Sequence, residues 1–173
     1  MWPTIGRVNP VDVTPPLLQA LAGKHPATKP VWFMRQAGRS LPEYREVRRG
    51  TGMIESCLMP DLAAEITLQP VRRHKVDAAI FFSDIMVPLT LAGVDVDIVA
   101  GVGPVVAEPV RTASDVRKLV AHELGDTSMI TAAIERIRAE LATTPSGDAS
   151  WTPLIGFAGA PFTLAAYLVE GRP

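Results

Sequence analysis

The sequence is poor in the residue types that build disulfide frameworks and metal centres. Its 173 residues include one cysteine, Cys57, and three histidines that lie far apart along the chain. A single cysteine excludes a disulfide within the chain and a cysteine-cluster zinc site, and it suits a reducing compartment. The spacing of the histidines matches no metal-ligand pattern. We therefore predict no metal site.

An excess of charge of one sign is also missing. The chain carries 17 Lys+Arg and 18 Asp+Glu, which gives a formal net charge of -1. This balance excludes a globally basic nucleic-acid-binding protein and an acidic disordered tail. Apolar residues make up 47% and charged residues 20%, which is typical of a globular domain.

Targeting and membrane segments are not predicted either. Residues 1–13 lack the apolar core and the small-residue cleavage site of a secretory signal. The stretch Ala149–Val169 carries no charge and is long enough for a membrane span of about 20 residues. Prolines and glycines interrupt it, so we expect a buried strand followed by a buried helix, and no membrane association.

Nucleotide-binding motifs are missing as well. Gly101-Val102-Gly103 is not a dinucleotide fingerprint, because Val106 stands at the third glycine position and no helix follows directly. No phosphate-loop lysine motif is present. The lone Cys57 has no motif around it, and we expect it to pack in the core rather than act as a nucleophile.

The chain does contain short apolar runs that alternate with helical stretches. The runs Val31–Met34, Ala78–Phe82 and Pro153–Phe157 predict buried strands, and the alternation over Val94–Val99 predicts a half-exposed strand. A turn is expected at Gly101–Pro104. Helices are predicted over Leu17–Ala22, Leu41–Arg49, Asp61–His74 with a kink or an end at Pro70, a segment capped by Ser114 that runs to Val120, a segment capped by Asp126 that runs to Leu141, and Phe162–Glu170. Buried strands separated by helices predict an α/β fold with parallel strands.

In such folds, functional residues gather in the loops that follow the carboxyl ends of the strands. Three segments fall there: the residues after Met34, the pair Ser83-Asp84, and the residues after Phe157. We expect these segments to lie close together and to form the functional site.

Arginines are concentrated after the first predicted strand. Five arginines and two glutamates occur between Arg35 and Arg49. Guanidinium groups bind carboxylate or phosphate bidentately, so Arg35 and Arg39 suit an anionic ligand. A charge directly after a buried strand, as at Arg35, is costly without a partner. Arg45, Arg48 and Arg49 are expected on an exposed helix face with exchangeable ion pairs.

The other candidate residues leave two interpretations open. Asp84 can bind a cationic or N–H-rich ligand or act in acid–base chemistry, and it can equally cap a helix or bond within a loop. The small residues of Gly156–Phe162 permit a flat ligand, or an anion at a helix N-terminus, and equally tight strand–helix packing. Tyr167 offers a hydroxyl group, although a core position is the commoner case.

Two of these segments carry a family resemblance. The sequence PVWFMRQAGRSLPEYR at 30–45 closely resembles the first signature of the uroporphyrinogen decarboxylase family, and IGFAGAPFTL at 155–164 resembles the second. Between them, Leu68-Gln69-Pro70 and Phe82-Ser83-Asp84-Ile85 match in order and approximate spacing. The resemblance runs from about Pro30 to Gly171. Ser40 departs from it, because the family often carries tyrosine there.

The resemblance implies a (β/α)8 TIM barrel that acts as a cytoplasmic homodimer without metal or organic cofactor. Its members remove the four acetate carboxyls of uroporphyrinogen III to give coproporphyrinogen III in haem biosynthesis. It implies catalytic roles for Asp84, Arg35 and Tyr167: Asp84 facing the pyrrole N–H groups, Arg35 and Arg39 contacting the carboxylates, and Tyr167 near the reacting acetate. The residues that it places around the substrate are Met34, Gln36, Ile80 and Phe157.

The length of the chain conflicts with that barrel, which typically needs about 250 residues. Family members are roughly twice as long as this chain. We therefore expect residues 1–173 to form a single incomplete domain, the N-terminal portion of the barrel, with little activity in isolation. Two alternatives stay open. One is a corrinoid-linked methyltransferase-like member of the wider superfamily, and the other is a non-catalytic porphyrin-binding fragment.

Overall fold

A computed structural model describes residues 14–33, 38–142 and 152–172, and they form a mixed α/β structure. Helices and strands follow one another along the chain in this order: α1 (Pro16–Leu21), α2 (Pro42–Val47), α3 (Met53–Leu58), α4 (Pro60–His74), β1 (Ala79–Ile80), α5 (Val87–Leu91), β2 (Val96–Val99), β3 (Gly103–Val106), α6 (Ala113–Ala121), α7 (Ser128–Leu141), β4 (Leu154–Ile155) and α8 (Pro161–Glu170).

Two small sheets organise these elements. Strands β1 and β4 are parallel, with Ala79 opposite Leu154 and Ile80 opposite Ile155. The pairing extends by one residue, where the Phe81 N–H donates to the Ile155 carbonyl at 3.0 Å. Strands β2 and β3 form an antiparallel hairpin. The parallel pair brings the carboxyl ends of β1 and β4 to the same edge.

Helix α4 is the centre of the main core. Seven of its residues are buried, from Ala63 to Pro70, and they face β1 as well as the neighbouring helices. Helix α7 packs along it through Ala133 and Ile137, which are fully buried. Arg72 of α4 forms an ion pair with Glu140 of α7 at 2.6 Å on the outside of this interface. The buried apolar contacts provide the stability, because exposed ion pairs contribute little.

The predicted helices are confirmed to within a few residues. Two details differ. Helix α4 continues through Pro70 to His74, so the proline does not end it. The N-cap of α6 is Thr112, which forms a capping box with Asp115, and Ser114 lies inside the helix. The N-cap position of α7 is Thr127, while the Asp126 carboxylate accepts the Ser128 N–H at 2.8 Å.

The predicted strands are corrected in length and burial. Residues 31–33 belong to no strand and are exposed, although the Asp77 N–H donates to the Val31 carbonyl at 2.8 Å. Strand β4 comprises Leu154–Ile155 only, and both residues are half-buried. Strand β1 comprises Ala79–Ile80, although its apolar neighbours Phe81 and Phe82 are buried. A strand is buried on both faces only where other helices or strands pack on both of its faces, and here the packing on β1 and β4 is partial.

Three elements lie outside the sequence predictions. Helices α3 and α5 are each about one and a half turns long, too short to show a period in the sequence. Strand β3 includes Pro104, and because proline is rare inside strands, the sequence does not predict a strand there. The polar composition of Thr143–Ser150 predicts a loop, and these residues lie outside the described ranges.

Helix α8 corrects the expectation of a buried helix, because none of its residues is buried. One side of the helix, with Leu164, Tyr167 and Leu168, packs against a neighbouring apolar cluster, whereas Phe162 is 85% exposed. None of the helices in the described ranges combines the length and the apolar character that a membrane crossing requires.

Replacing a leucine of the α4 core should destabilise the fold far more than the same change at the surface. Leu68 is 3% exposed and Leu21 is 75% exposed. We expect Leu68→Ala to lower the free energy of unfolding by about 2–5 kcal/mol, and Leu21→Ala by at most about 0.5 kcal/mol. Urea unfolding followed by circular dichroism measures both. Equal losses in the two variants would contradict the placement of the core.

Candidate active site at the carboxyl ends of β1 and β4

Two of the three predicted functional segments meet at the edge where β1 and β4 end. Ser83-Asp84 follows β1, and Gly156–Ala160 follows β4. The close approach is visible at Gly159, where a Cβ atom would lie 3.0 Å from the Cβ of Ile85 and 2.8 Å from Cδ2 of Leu164. The two loops are therefore packed against each other. The convergence predicted for these two segments is confirmed.

Asp84 stands half-buried at this edge, in a turn that follows β1. Its Oδ1 accepts the N–H of Met86 at 2.9 Å, and its carbonyl accepts the N–H of Val87 at 3.1 Å. The loop hydrogen bond expected as one role of Asp84 is thus present. It occupies one carboxylate oxygen, and Oδ2 makes no hydrogen bond within the described part of the chain. Within the described ranges, the carboxylate is therefore held through Oδ1 alone.

Cys57 lies next to this turn and is buried, as the sequence predicts. Burial and, to a smaller extent, the negative charge of Asp84 raise the pKa of the Cys57 thiol to about 12. The positive charge of Arg48 and a hydrogen bond from the Asp84 backbone act in the opposite direction on this pKa. The thiol therefore stays protonated and unreactive at neutral pH. It forms part of the wall behind Asp84.

Arg48 is also close to this wall, and its position corrects a prediction. The sequence favours an exposed face with exchangeable ion pairs, but Arg48 is half-buried and its partners are neutral. Its guanidinium donates to the Tyr44 hydroxyl at 2.7 Å and to the Ser56 hydroxyl at 3.1 Å. It thereby joins the end of α2 to α3. Arg49 does behave as predicted, in an exposed ion pair with Glu46.

The remaining candidate residues have different environments. Arg39 is exposed and forms no hydrogen bond or ion pair in the described ranges. Ile80 is half-buried in β1, and Phe157 is exposed beyond β4. Tyr167 is half-buried and packs against a second apolar cluster that contains Met86 and Leu89. The predicted candidates Met34, Arg35 and Gln36 lie outside the described residues.

The arrangement combines an anchored carboxylate with an adjacent apolar surface. Phe82 is buried beneath the turn and meets Tyr44 edge to face, with ring centroids 6.2 Å apart. Phe157 lies exposed on the other loop. A carboxylate oxygen beside aromatic and glycine-rich backbone suits a flat ligand that carries N–H donors. Among the described residues, no group of three or more histidine, cysteine or acidic side chains is arranged to hold a metal ion.

A separate cavity lies at the opposite end of the parallel strands. It has a volume of about 690 Å³ and lies between the C-terminal end of α7 and the start of β4, where Thr152 and Leu154 line it. In open α/β sheets, ligands bind at the carboxyl ends of strands. The cavity is therefore not part of the Asp84 site.

The raised pKa of Cys57 predicts a specific dependence of stability on pH. The folded thiol keeps its proton up to a pH of about 12, whereas the unfolded thiol loses it near 9. The unfolded state binds fewer protons between these values, so the free energy of unfolding should fall by up to about 1.4 kcal/mol per pH unit. Cys57→Ala should lose this part of the slope. Urea unfolding at pH 8 and pH 10.5 measures it, and equal slopes in both proteins would refute the assignment.

The two glycines of the second loop should differ in their tolerance of a methyl group. Alanine at position 159 meets Ile85 and Leu164, whereas a Cβ at Gly156 meets nothing within 4 Å. We expect Gly159→Ala to cost about 1–3 kcal/mol of stability through overpacking, and Gly156→Ala to change stability by about 0.5 kcal/mol or less. Thermal unfolding compares them directly. Equal midpoints would show that the two loops are not packed as described.

Comparisons with known proteins agree with the sequence signatures. The family profile described as Uroporphyrinogen decarboxylase (URO-D) matches residues 13–173. A protein of Rhodococcus erythropolis named uroporphyrinogen decarboxylase is 63% identical over 161 residues, which cover 91% of this chain and 42% of that protein. A protein of the same name from Saccharopolyspora erythraea is 59% identical over 172 residues, which cover 95% of this chain and 45% of that protein.

The structural comparison adds information about the fold alone. A methyltransferase from Methanosarcina mazei matches with a TM-score of 0.59 at 21% sequence identity, over 89% of this chain and 44% of the other. This chain spans less than half the length of the curated relatives. The signatures, the profile match and the identity to the curated relatives together establish that the chain belongs to the uroporphyrinogen decarboxylase family.

Proposed function

We propose that the chain is the N-terminal portion of a uroporphyrinogen decarboxylase. In this reaction the four acetate side chains of uroporphyrinogen III lose CO2, and coproporphyrinogen III is formed for haem biosynthesis. The enzyme would be a lyase that needs no metal or organic cofactor. The observation that carries the proposal is Asp84: one oxygen is anchored by the Met86 N–H, and the other faces no partner in the described structure.

An anchored carboxylate suits a tetrapyrrole for a geometric reason. The pyrrole N–H groups of a porphyrinogen can all turn toward one side of the macrocycle, and a carboxylate oxygen accepts several N–H bonds at once. Because Met86 holds Oδ1, the carboxylate does not have to reorganise when the substrate arrives. The exposed Phe157 and the small residues beside it leave room for the flat ring.

The chemistry requires an electron sink, which the substrate itself provides. A proton is added to a carbon of the pyrrole ring, so the ring becomes cationic. The bond between the methylene and the carboxylate then breaks, its electron pair enters the cationic ring, and CO2 leaves. The resulting exocyclic methylene takes a proton and becomes a methyl group, while the ring carbon returns one. The pyrrole therefore does the work of a cofactor.

Asp84 would stabilise the cationic pyrrole ring that forms during this reaction. A fixed negative charge stabilises a positive charge that develops beside it, and the effect is larger in a site that excludes water. Asp84 is half-buried and its neighbours Phe82 and Met86 are buried, which limits water at the turn. In this proposal Asp84 serves as the electrostatic partner of the cationic ring, not as the proton donor.

The arginines and Tyr167 would complete the site. Arg35 and Arg39 would bind the acetate and propionate carboxylates of the substrate, and the exposed guanidinium of Arg39, unpaired within the described ranges, supports this role. Tyr167 would stand near the reacting acetate, and Met34, Gln36, Ile80 and Phe157 around the ring. Arg35 is a candidate for proton delivery, although the high pKa of a guanidinium requires a carboxylate or a water molecule to relay the proton.

The architecture of the whole protein follows from the same proposal. The parallel β1–β4 pair and the intervening helices would be part of a (β/α)8 barrel, and residues 1–173 would form one incomplete domain of it. The whole protein would be a homodimer in the cytoplasm, with uroporphyrinogen as its partner and no nucleic acid or membrane. The likeness to a methyltransferase extends to the fold alone, so it gives no support to methyl transfer.

A chimeric enzyme tests the proposal. The C-terminal part of the Rhodococcus erythropolis relative that has no counterpart in this chain is fused after residue 173, and coproporphyrin formation is followed by fluorescence after oxidation. We expect the chimera to decarboxylate uroporphyrinogen III and Asp84→Asn to lower kcat by about 100-fold or more, because one preorganised electrostatic contact is removed. Arg39→Ala should raise KM by about tenfold through a lost ion pair.

The matched control for these variants is Asp97→Asn, an exposed aspartate on the β2–β3 hairpin. Its rate should equal that of the parent chimera. If Asp84→Asn were as active as Asp97→Asn in a working chimera, the proposed role of Asp84 would be wrong.

A further inference from the structure

A buried threonine of α4 lies directly beneath the turn that carries Asp84. Thr67 is 1% exposed, and it is one of the few polar residues in an otherwise apolar core. Its hydroxyl group donates to the carbonyl of Ala63 one helical turn earlier, at 2.8 Å, and it accepts the backbone N–H of Phe82 at 2.9 Å. Both hydrogen-bonding capacities of the hydroxyl are therefore used inside the core.

The Phe82 N–H needs this partner because β4 cannot provide one. Successive N–H groups of an extended chain point to opposite sides. Phe81 donates to Ile155 of β4, so the next N–H points away from β4. It is buried, and a buried N–H without an acceptor costs about 1–3 kcal/mol. Thr67 supplies that acceptor at the position where the regular pairing ends.

The consequence reaches Asp84, two residues further on. The turn between them is short, and its later bonds all involve Asp84: the carboxylate accepts the Met86 N–H and the carbonyl accepts the Val87 N–H. Cys57 of α3 lies next to the backbone of Asp84. The chain leaves the core at Phe82, whose amide is bound to Thr67. The position of the Asp84 carboxylate therefore depends on this hydrogen bond.

We propose that Thr67 is a positioning residue for Asp84: its buried hydroxyl group fixes the Phe82 amide and so determines where the Asp84 carboxylate meets the substrate. The inference rests on the proposed function, because it takes the Asp84 carboxylate to be a contact of the tetrapyrrole. It adds to that function a residue that touches no ligand and acts through the backbone of the turn.

The test uses the 173-residue chain and coproporphyrin III as the probe. Thr67→Val keeps the shape of the side chain but removes the acceptor, whereas Thr67→Ser keeps the hydroxyl group. Affinity is measured by fluorescence titration, and exchange of the Phe82 amide proton is measured by NMR. We expect Thr67→Val to weaken binding by about threefold to tenfold, as the loss of one hydrogen bond implies, and to accelerate exchange at Phe82. Thr67→Ser should bind within about twofold of the parent.

Two further variants separate positioning from a general loss of stability. Ile137→Val removes a methyl group from a fully buried side chain of α7, and it should leave the affinity unchanged even if its urea midpoint falls as far as that of Thr67→Val. In an Asp84→Asn background, Thr67→Val should weaken binding by no more than about twofold, because the contact that it positions is already altered.

The outcomes distinguish this inference from the proposed function. If Asp84→Asn binds coproporphyrin as tightly as the parent, the proposed role of Asp84 fails, and the positioning role fails with it. If Asp84→Asn weakens binding but Thr67→Val does not, only the positioning role is overturned. The positioning role alone is likewise overturned if Thr67→Val weakens binding equally in both backgrounds, or if Thr67→Ser is as impaired as Thr67→Val.

Discussion

The parallel pairing of β1 with β4 is the constraint on which the candidate site depends. The two strands are far apart in sequence, and their register sets Ile80 opposite Ile155. Each strand therefore leaves the sheet at the same edge, where the Asp84 turn meets the Gly156–Ala160 loop. Gly159 permits that contact, because any side chain there would collide with Ile85. A shift of register by one residue would turn the side chains of the shifted strand to the opposite face and move the two loops out of contact.

Helix α4 packs against this edge and stabilises it in two ways, through apolar packing and through one hydrogen bond. Apolar residues such as Ile66 and Leu68 supply the burial that holds the helix to the sheet and to α7. Thr67 lies among them and uses its hydroxyl group to bind the backbone beyond the strand. Polar groups in a core are costly unless every donor and acceptor is satisfied, and Thr67 meets that condition.

The sequence predicts much of the fold and part of the site. Helical periodicity locates α4 and α7, because their apolar stripes are three or four turns long, and Asp84 is identified because it closely follows an apolar run. Short elements such as α3 and α5 carry no period, and Pro104 conceals β3. The sequence does not identify Thr67 and Arg48 as residues that support the site. The roles of a buried hydroxyl group and a half-buried guanidinium depend on neighbours that the fold brings together. Burial of Val31–Phe33 is overestimated, because an apolar run does not reveal whether anything covers it.

The proposed site for the tetrapyrrole lies where β1 and β4 end. A titration of the ¹⁵N-labelled chain with coproporphyrin III, followed by amide chemical shifts, tests it most directly. We predict that the largest shifts fall on the Asp84–Met86 turn and on residues 156–160, while the amides of α7 and of the β2–β3 hairpin change little. Shifts concentrated at the opposite end of the strands, around Ala139, Ala142 and Thr152, would show that the tetrapyrrole binds elsewhere.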